Sequence, residues 1–194
     1  MQKIKEFLEE LNKAKVNYAV MWGHEKLPEE ISGTDIDILI GHSHMNKVFT
    51  IAGYVYRFSP VQHPEYTGHH KVDNQIPHSH YLLANFDIWT TFCVNTKEAK
   101  IKGPRGERQV LPYDFSELVL RNRVKYKNFY VADPISQAAM TILRVIRDKE
   151  IMQDRYKSRI KIGRNENKDG VLKLVTGNLS DAEIADTVRP MLYE

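Results

Sequence analysis

Three acids in this chain stand where an acid is hard to keep. Asp35 and Asp37 flank Ile36 in the run Gly33-Thr34-Asp35-Ile36-Asp37-Ile38-Leu39-Ile40, and Asp87 sits within the apolar stretch Leu82 to Ile88. On a strand, residues two apart project to one face, so Asp35 and Asp37 fall on the same side with Cα atoms roughly 6.5 Å apart. Ile36, Ile38 and Ile40 then point the other way and can bury that side. Two carboxylates at the head of an apolar strand repel each other and resist desolvation, a cost that a cation between them removes. Oxygen-only ligands suit a hard ion, and Mg²⁺ (or Mn²⁺) in such a site leaves positions for phosphate oxygens. Asp87 repeats the pattern on a second strand. If that strand lies beside the first, three carboxylates on one open sheet face can hold two metal ions about 3.5–4 Å apart, the clamp used for in-line phosphoryl transfer. Asp35, Asp37 and Asp87 are therefore the candidate metal ligands and catalytic residues.

Other polar residues carry weaker signals. All eight histidines lie between His24 and His80, paired at His42-x-His44, His69-His70 and His78-x-His80. Paired imidazoles can bind zinc, but no third ligand follows at a recognisable spacing, so they read as loop residues, some lining a phosphate-binding cleft. His80, on the strand that leads to Asp87, is the best placed of them. The later half is basic, from Arg144 and Arg147 through Lys149 and Arg155 to Arg164. Most of these read as a solvated helix face balanced by Asp148, Glu150 and Asp154; Lys149 and Arg155 are the candidates for contact with a polyphosphate. A net charge of +3 is too small to point to nucleic acid, and no nucleic-acid motif, Walker loop or dinucleotide fingerprint is present. Cys93, the single cysteine, excludes a disulfide framework and reads as buried among Phe92 and Val94.

The elements that must position these groups follow from periodicity. Ile4, Phe7, Leu8 and Leu11 recur at helical spacing with Glu6, Glu9 and Glu10 on the other side, which predicts an amphipathic opening helix. Tyr18 to Trp22 reads as a buried strand, Gly23 to Gly33 as a loop, Asp35 to Ile40 as the second strand and Met45 to Ala52 as a short helix. A short strand is expected near Tyr54 to Phe58. His80 to Val94 reads as one strand, with Leu82, Ala84, Phe86 and Ile88 on one face and Asn85, Asp87 and Trp89 on the other. Trp22 and Trp89 read as core residues. Gly103-Pro104-Arg105-Gly106 is a turn. Beyond it the texture becomes helical: Asp114 to Val124, then a brief extended piece at Phe129 to Val131. Asp133-Pro134 follows as an N-cap with proline at the first helical position, and Ser180 with Glu183 forms a capping box. The expectation is an α+β chain: a small mixed sheet with helices on one face, residues 1–112, then a helical region, 113–194, packed on that core.

At the level of these motifs the chain resembles the nucleotidyltransferase fold superfamily, the DNA polymerase beta-like group. In that family a strand ends in Gly-Ser or Gly-Gly, a loop follows, Asp-x-Asp opens the next strand, and a third Asp lies on a later one. Val20-Met21-Trp22-Gly23, Asp35-Ile36-Asp37 and Asp87 match these in order. The stretches Tyr18 to Ile40 and Asn122 to Lys149 look closest to small nucleotidyltransferase-like proteins of bacterial polysaccharide-biosynthesis clusters. Where the family has serine after the glycine, this chain has His24. The resemblance implies attack of an acceptor on the α-phosphate of a nucleoside triphosphate, with release of pyrophosphate. Asp35 and Asp37 would bind the metal, and Asp87 would bind it and act as, or position, the base. Gly23, His24, Gly33 and Thr34 would meet the nucleotide. A small-molecule or saccharide acceptor is expected in preference to nucleic acid. Two alternatives stay open: a glycosyltransferase that uses Asp-x-Asp, and a degenerate domain that binds a nucleotide or a partner. Acids follow Lys3 and Lys5 without an apolar run, and no stretch reaches the roughly 18 apolar residues of a membrane helix. A cytoplasmic chain with no membrane contact is expected.

Overall fold

The computed structural model describes residues 1–31, 35–62, 80–95, 108–110, 113–147 and 152–193. Its elements divide into two units, Met1–Phe92 with Pro112–Ala132, and Cys93–Leu111 with Asp133–Glu194.

The first unit opens on helix α1 (Gln2–Lys13), which buries Ile4, Phe7, Leu8 and Leu11 along one stripe. Lys15 stops it in the left-handed region, φ 52. There the Val16 N–H reaches the Leu11 carbonyl and the Lys15 N–H reaches Asn12, the two bonds of a Schellman turn. Strands β1 (Tyr18–Val20) and β2 (Ile36–Ile40) follow, then helix α2 (Met45–Tyr56), strand β3 (Val61–Gln62), and strands β4 (His80–Leu83) and β5 (Phe86–Trp89). Helix α3 (Tyr113–Asn122) precedes the hairpin of β8 (Val124–Tyr126) and β9 (Phe129–Val131). The seven strands run in the order β3-β4-β5-β2-β1-β9-β8. β2 lies parallel to β5 and antiparallel to β1, and β1 is parallel to β9, so the sheet is mixed.

One face of this sheet meets α1 and α2 in a single core of Phe7, Leu11, Val48, Ala52, Ile36, Ile38, Ile40, Phe86 and Ile88 among others. That core holds the register of β2. A slip by one residue would expose three isoleucines, at roughly 1.5–3 kcal/mol each, and drive Asp37 inward. The opposite face carries Asp37 and Asp87 and is covered in part. Ala19 and Leu39 on it are fully buried, and α3 packs against β1 and β2.

Three local expectations change. Residues 54–56 continue α2, because Val55 and Tyr56 extend the buried stripe of Val48 and Ala52, and Gly53 is tolerated inside the helix. His80 to Val94 is not one strand but a hairpin that turns at Ala84-Asn85, with Ala84 at φ 52. The reversal pairs Leu82 with Asp87 and Leu83 with Phe86, so Leu82 shares the acid's face and Leu83 takes the core face. The boundary at 112 also moves. Residues 113–132 belong to the first unit because β9 pairs with β1, whereas Cys93 starts the second. The turn expected at 103–106 lies outside the described residues.

In the second unit, β6 (Cys93–Asn95) pairs with β7 (Arg108–Val110), and Cys93 is buried. Helix α4 (Pro134–Arg147) starts as expected, with the Asp133 carboxylate accepting from the N–H groups of Ile135 and Ser136. It packs against α5 (Asp154–Thr176), which bends where Asn167 leaves helical geometry and its side chain accepts from the Gly170 N–H. Arg147 is buried in an ion pair with Glu183 at 2.7 Å. That glutamate also completes the capping box with Ser180. The whole is the α+β class expected, a mixed sheet followed by a helical C-terminal part. No described helix is long and apolar enough to cross a membrane.

Candidate active site

Two of the three acids meet. Asp37 and Asp87 are register partners on the neighbouring parallel strands β2 and β5, so both point from the same face. Their Cα atoms are separated by about one strand spacing, roughly 4.8 Å. Two backbone bonds fix the placement: Ile36 N–H donates to the Asn85 carbonyl at 2.7 Å, and Met21 N–H to the Asp37 carbonyl at 2.9 Å. The first ties the head of β2 to the turn that starts β5, and the second ties β2 to the end of β1.

Asp37 does not stand alone against its neighbour's charge. The Trp22 indole N–H donates to its Oδ2 at 2.5 Å, and the Trp89 indole N–H to its Oδ1 at 3.2 Å. Each carboxylate oxygen thus has a donor, and hydrogen bonds to an ionised acceptor are the strong ones. Trp89 is 3% exposed, so its N–H has no water to fall back on, while Trp22 is half-buried. The sequence reads both residues as core, and Trp89 is buried as expected. The signal that could have found Trp89 was its spacing, two residues beyond Asp87 and so on the same face. Trp22 comes to Asp37 only through the pairing of β1 with β2.

Asp35 is exposed and precedes the first paired residue of β2. Among the described residues no three His, Cys, Asp or Glu side chains stand together so as to hold a metal ion. The register brings Asp37 and Asp87 side by side, with Asp35 one residue ahead of the paired stretch of β2. The donor set of the pair still fits an oxygen-seeking divalent cation, since each carboxylate offers about four lone-pair sites and the indoles occupy two of those on Asp37.

The expected nucleotide contacts divide. Gly23 leaves β1 at φ 70, a conformation glycine takes without strain. His24, just after it, packs edge-to-face on Tyr126 with ring centroids 4.8 Å apart. Tyr126 and Lys127 pin the loop that follows: the tyrosine hydroxyl donates to the Glu25 carbonyl, and the Lys127 ammonium to Leu27 and Glu29. Gly33, Thr34 and Lys149 lie outside the described residues, as do His69, His70 and His78. The backbone of His80 lies in β4, opposite Trp89 in the register. Arg155 belongs to the second unit, where its guanidinium sits 5.0 Å from the Tyr156 ring and bonds the hydroxyl. His42 and His44 form a single 3₁₀ turn, and the His44 Nδ1 accepts from the Asn17 N–H.

No known family profile and no curated protein matches the chain. Among solved structures it is similar to the antibiotic-resistance factor ANT(2'')-Ia. The TM-score is 0.52 at 7% sequence identity, covering 100% of this chain and 97% of that one. At that identity the likeness is one of fold.

Proposed function

We propose that this chain moves a nucleoside monophosphate from a nucleoside triphosphate to an acceptor hydroxyl. The observation that carries this reading is the in-register placement of Asp37 and Asp87 on one face of the sheet. In the reaction, the acceptor oxygen forms a bond to the α-phosphorus as the bond to the pyrophosphate oxygen breaks, and the acceptor proton passes to the Asp87 carboxylate. Asp37, held by two indoles, stays fixed while charge moves, which is the preorganisation that lowers such barriers. Gly23 offers backbone without a side chain where the triphosphate would approach. Asp37 and Asp87, with Asp35 at the head of the strand, would hold Mg²⁺ or Mn²⁺, which supplies neutralising charge for the triphosphate. The acceptor is a saccharide or another small molecule, in keeping with the small net charge.

One observation favours a second reading, a domain that binds a nucleotide without transferring it: both oxygens of Asp37 carry indole donors. Pyrophosphate release separates the two. With each of the four ribonucleoside triphosphates, Mg²⁺ and candidate saccharide acceptors, the wild type should release pyrophosphate. Asp87→Asn should do so at least ~10²-fold more slowly, the scale for losing a positioned base. Binding without release would favour the second reading. Cleavage of a sugar nucleotide without pyrophosphate would favour a glycosyltransferase, and a fully active Asp87→Asn would refute the carboxylate pair.

A further inference from the structure

A polar concavity lies away from the acids. The turn that ends α1 and the β8–β9 hairpin enclose a cleft of about 320 Å³, lined by Asn12, Lys15, Arg123, Lys125, Asn128 and Tyr130 among others. It borders the end of the ladder where Tyr18 pairs with Ile40, whereas the acids sit toward the other end, where Asp37 bonds Met21. Three lining residues are cationic and none is acidic. Among the described residues, Lys15, Arg123 and Lys125 form no ion pair. Three like charges around one small space repel one another, and an anion between them removes that cost.

The cleft is also partly organised in advance. Arg123 donates one Nη to the Leu120 carbonyl, and its guanidinium lies 4.8 Å from the centroid of Tyr130, so the fork cannot swing freely. Its Nε is out of reach of water and has no acceptor. An arginine fork suits the paired oxygens of a phosphate. Asn12 is held as well, donating to the Asn128 carbonyl and accepting from the Tyr18 hydroxyl. Lys15 projects from a backbone fixed in the left-handed region, where a turn of this kind ordinarily takes glycine. The volume lies near the lower end of the roughly 300–1,000 Å³ typical of small-molecule sites, too small for a groove that tracks a nucleic acid.

We propose that this cleft binds a small polyphosphorylated anion at a site separate from the carboxylate pair, with Arg123 as the fixed contact and Lys15 and Lys125 closing on either side. The inference stands whether or not the acids perform nucleotidyl transfer.

Inorganic pyrophosphate is the probe. It is titrated by calorimetry in the presence of chelator, so that no metal can bridge it to Asp37 and Asp87, and at ionic strength matched with sodium chloride. The wild type should bind with a saturable isotherm. An Asp37→Asn/Asp87→Asn variant should bind as well as the wild type or better. Lys15→Gln/Lys125→Gln should bind at least tenfold more weakly; both lysines are exposed and their mutual repulsion is relieved, so its unligated melting curve should lie at or slightly above that of the wild type. Arg123→Lys keeps the charge and loses the fork, and should also weaken binding. Absent or non-saturable binding to the wild type overturns the proposal. So does unchanged affinity in Lys15→Gln/Lys125→Gln, or loss of binding in the aspartate variant.

Discussion

Replacing Trp22 with phenylalanine deletes one indole N–H and keeps an aromatic ring against Phe92, which it meets edge-to-face at 6.2 Å. The lost bond is the 2.5 Å contact to Asp37 Oδ2. A hydrogen bond to a charged group contributes about 1.5–3 kcal/mol, and the half-exposure of Trp22 places this one near the lower figure. Asp37→Asn removes the same acceptor charge, but it also relieves repulsion with Asp87 and weakens the bond from the buried Trp89. Neither single change therefore isolates the contact. A double-mutant cycle does, because relief of repulsion enters both arms that change Asp37 and cancels. The expected coupling is about 1.5 kcal/mol. Urea melts in chelator read it out: with an m-value of about 1–3 kcal/mol/M, the midpoint shift caused by Trp22→Phe should be about 0.5–1.5 M larger with Asp37 present than in the Asp37→Asn background. Both tryptophans lie in the first unit, so Trp89 fluorescence still reports its unfolding in the Trp22→Phe background. A coupling below ~0.3 kcal/mol, the level at which independent sites add, would show that the indole does not hold the carboxylate.

Two further outcomes test other parts of the molecule. At Gly163 an added Cβ would lie 2.4 Å from the Ala138 Cβ and 2.5 Å from the Pro134 carbonyl oxygen, in the tight packing of α5 on α4. Neither neighbour is the end of a flexible side chain. Gly163→Ala should therefore destabilise the second unit by about 1–3 kcal/mol in thermal melts despite its gain in helix propensity, and a stabilised variant would contradict that packing. His44 is held below its ordinary pKa of 6.5, chiefly by burial and then by Lys47. Its Nδ1 must also be unprotonated to accept from Asn17. Between the lowered folded value and 6.5 the unfolded chain binds more protons, so stability should fall as pH drops through 6.5 and level off below the folded value. Urea melts at a series of pH values should show a shallower fall in His44→Gln, and identical slopes would exclude the histidine as the cause.

Much of the site was legible in the chain because it rests on alternation. The period-2 pattern of Ile36, Ile38 and Ile40 places Asp37 on the opposite face whatever the strand pairs with. The α1 stripe, the Asp133-Pro134 start and the Ser180-Glu183 box are likewise local, each set by backbone groups within a few residues. The run from His80 to Val94 misled for a local reason as well. Its apolar residues suit a strand on either side of Ala84-Asn85, and only the adoption of φ 52 at Ala84 reverses the chain and changes the face of Leu82.

What remained invisible is non-local. Nothing in the runs around 37 and 87 states that β2 and β5 are parallel neighbours in register. That pairing is selected when Phe86 and Ile88 share one apolar core with α1 and α2, and the free energy of burying that core belongs to no single segment. The indoles of Trp22 and Trp89 reach Asp37 as a consequence, since the first needs β1 beside β2 and the second needs β5 beside β2. The sequence by itself decided which face each acid takes. The tertiary structure decided which acids are neighbours and what holds them, because face is a property of one strand's alternation and adjacency depends on how the entire sheet buries its apolar side.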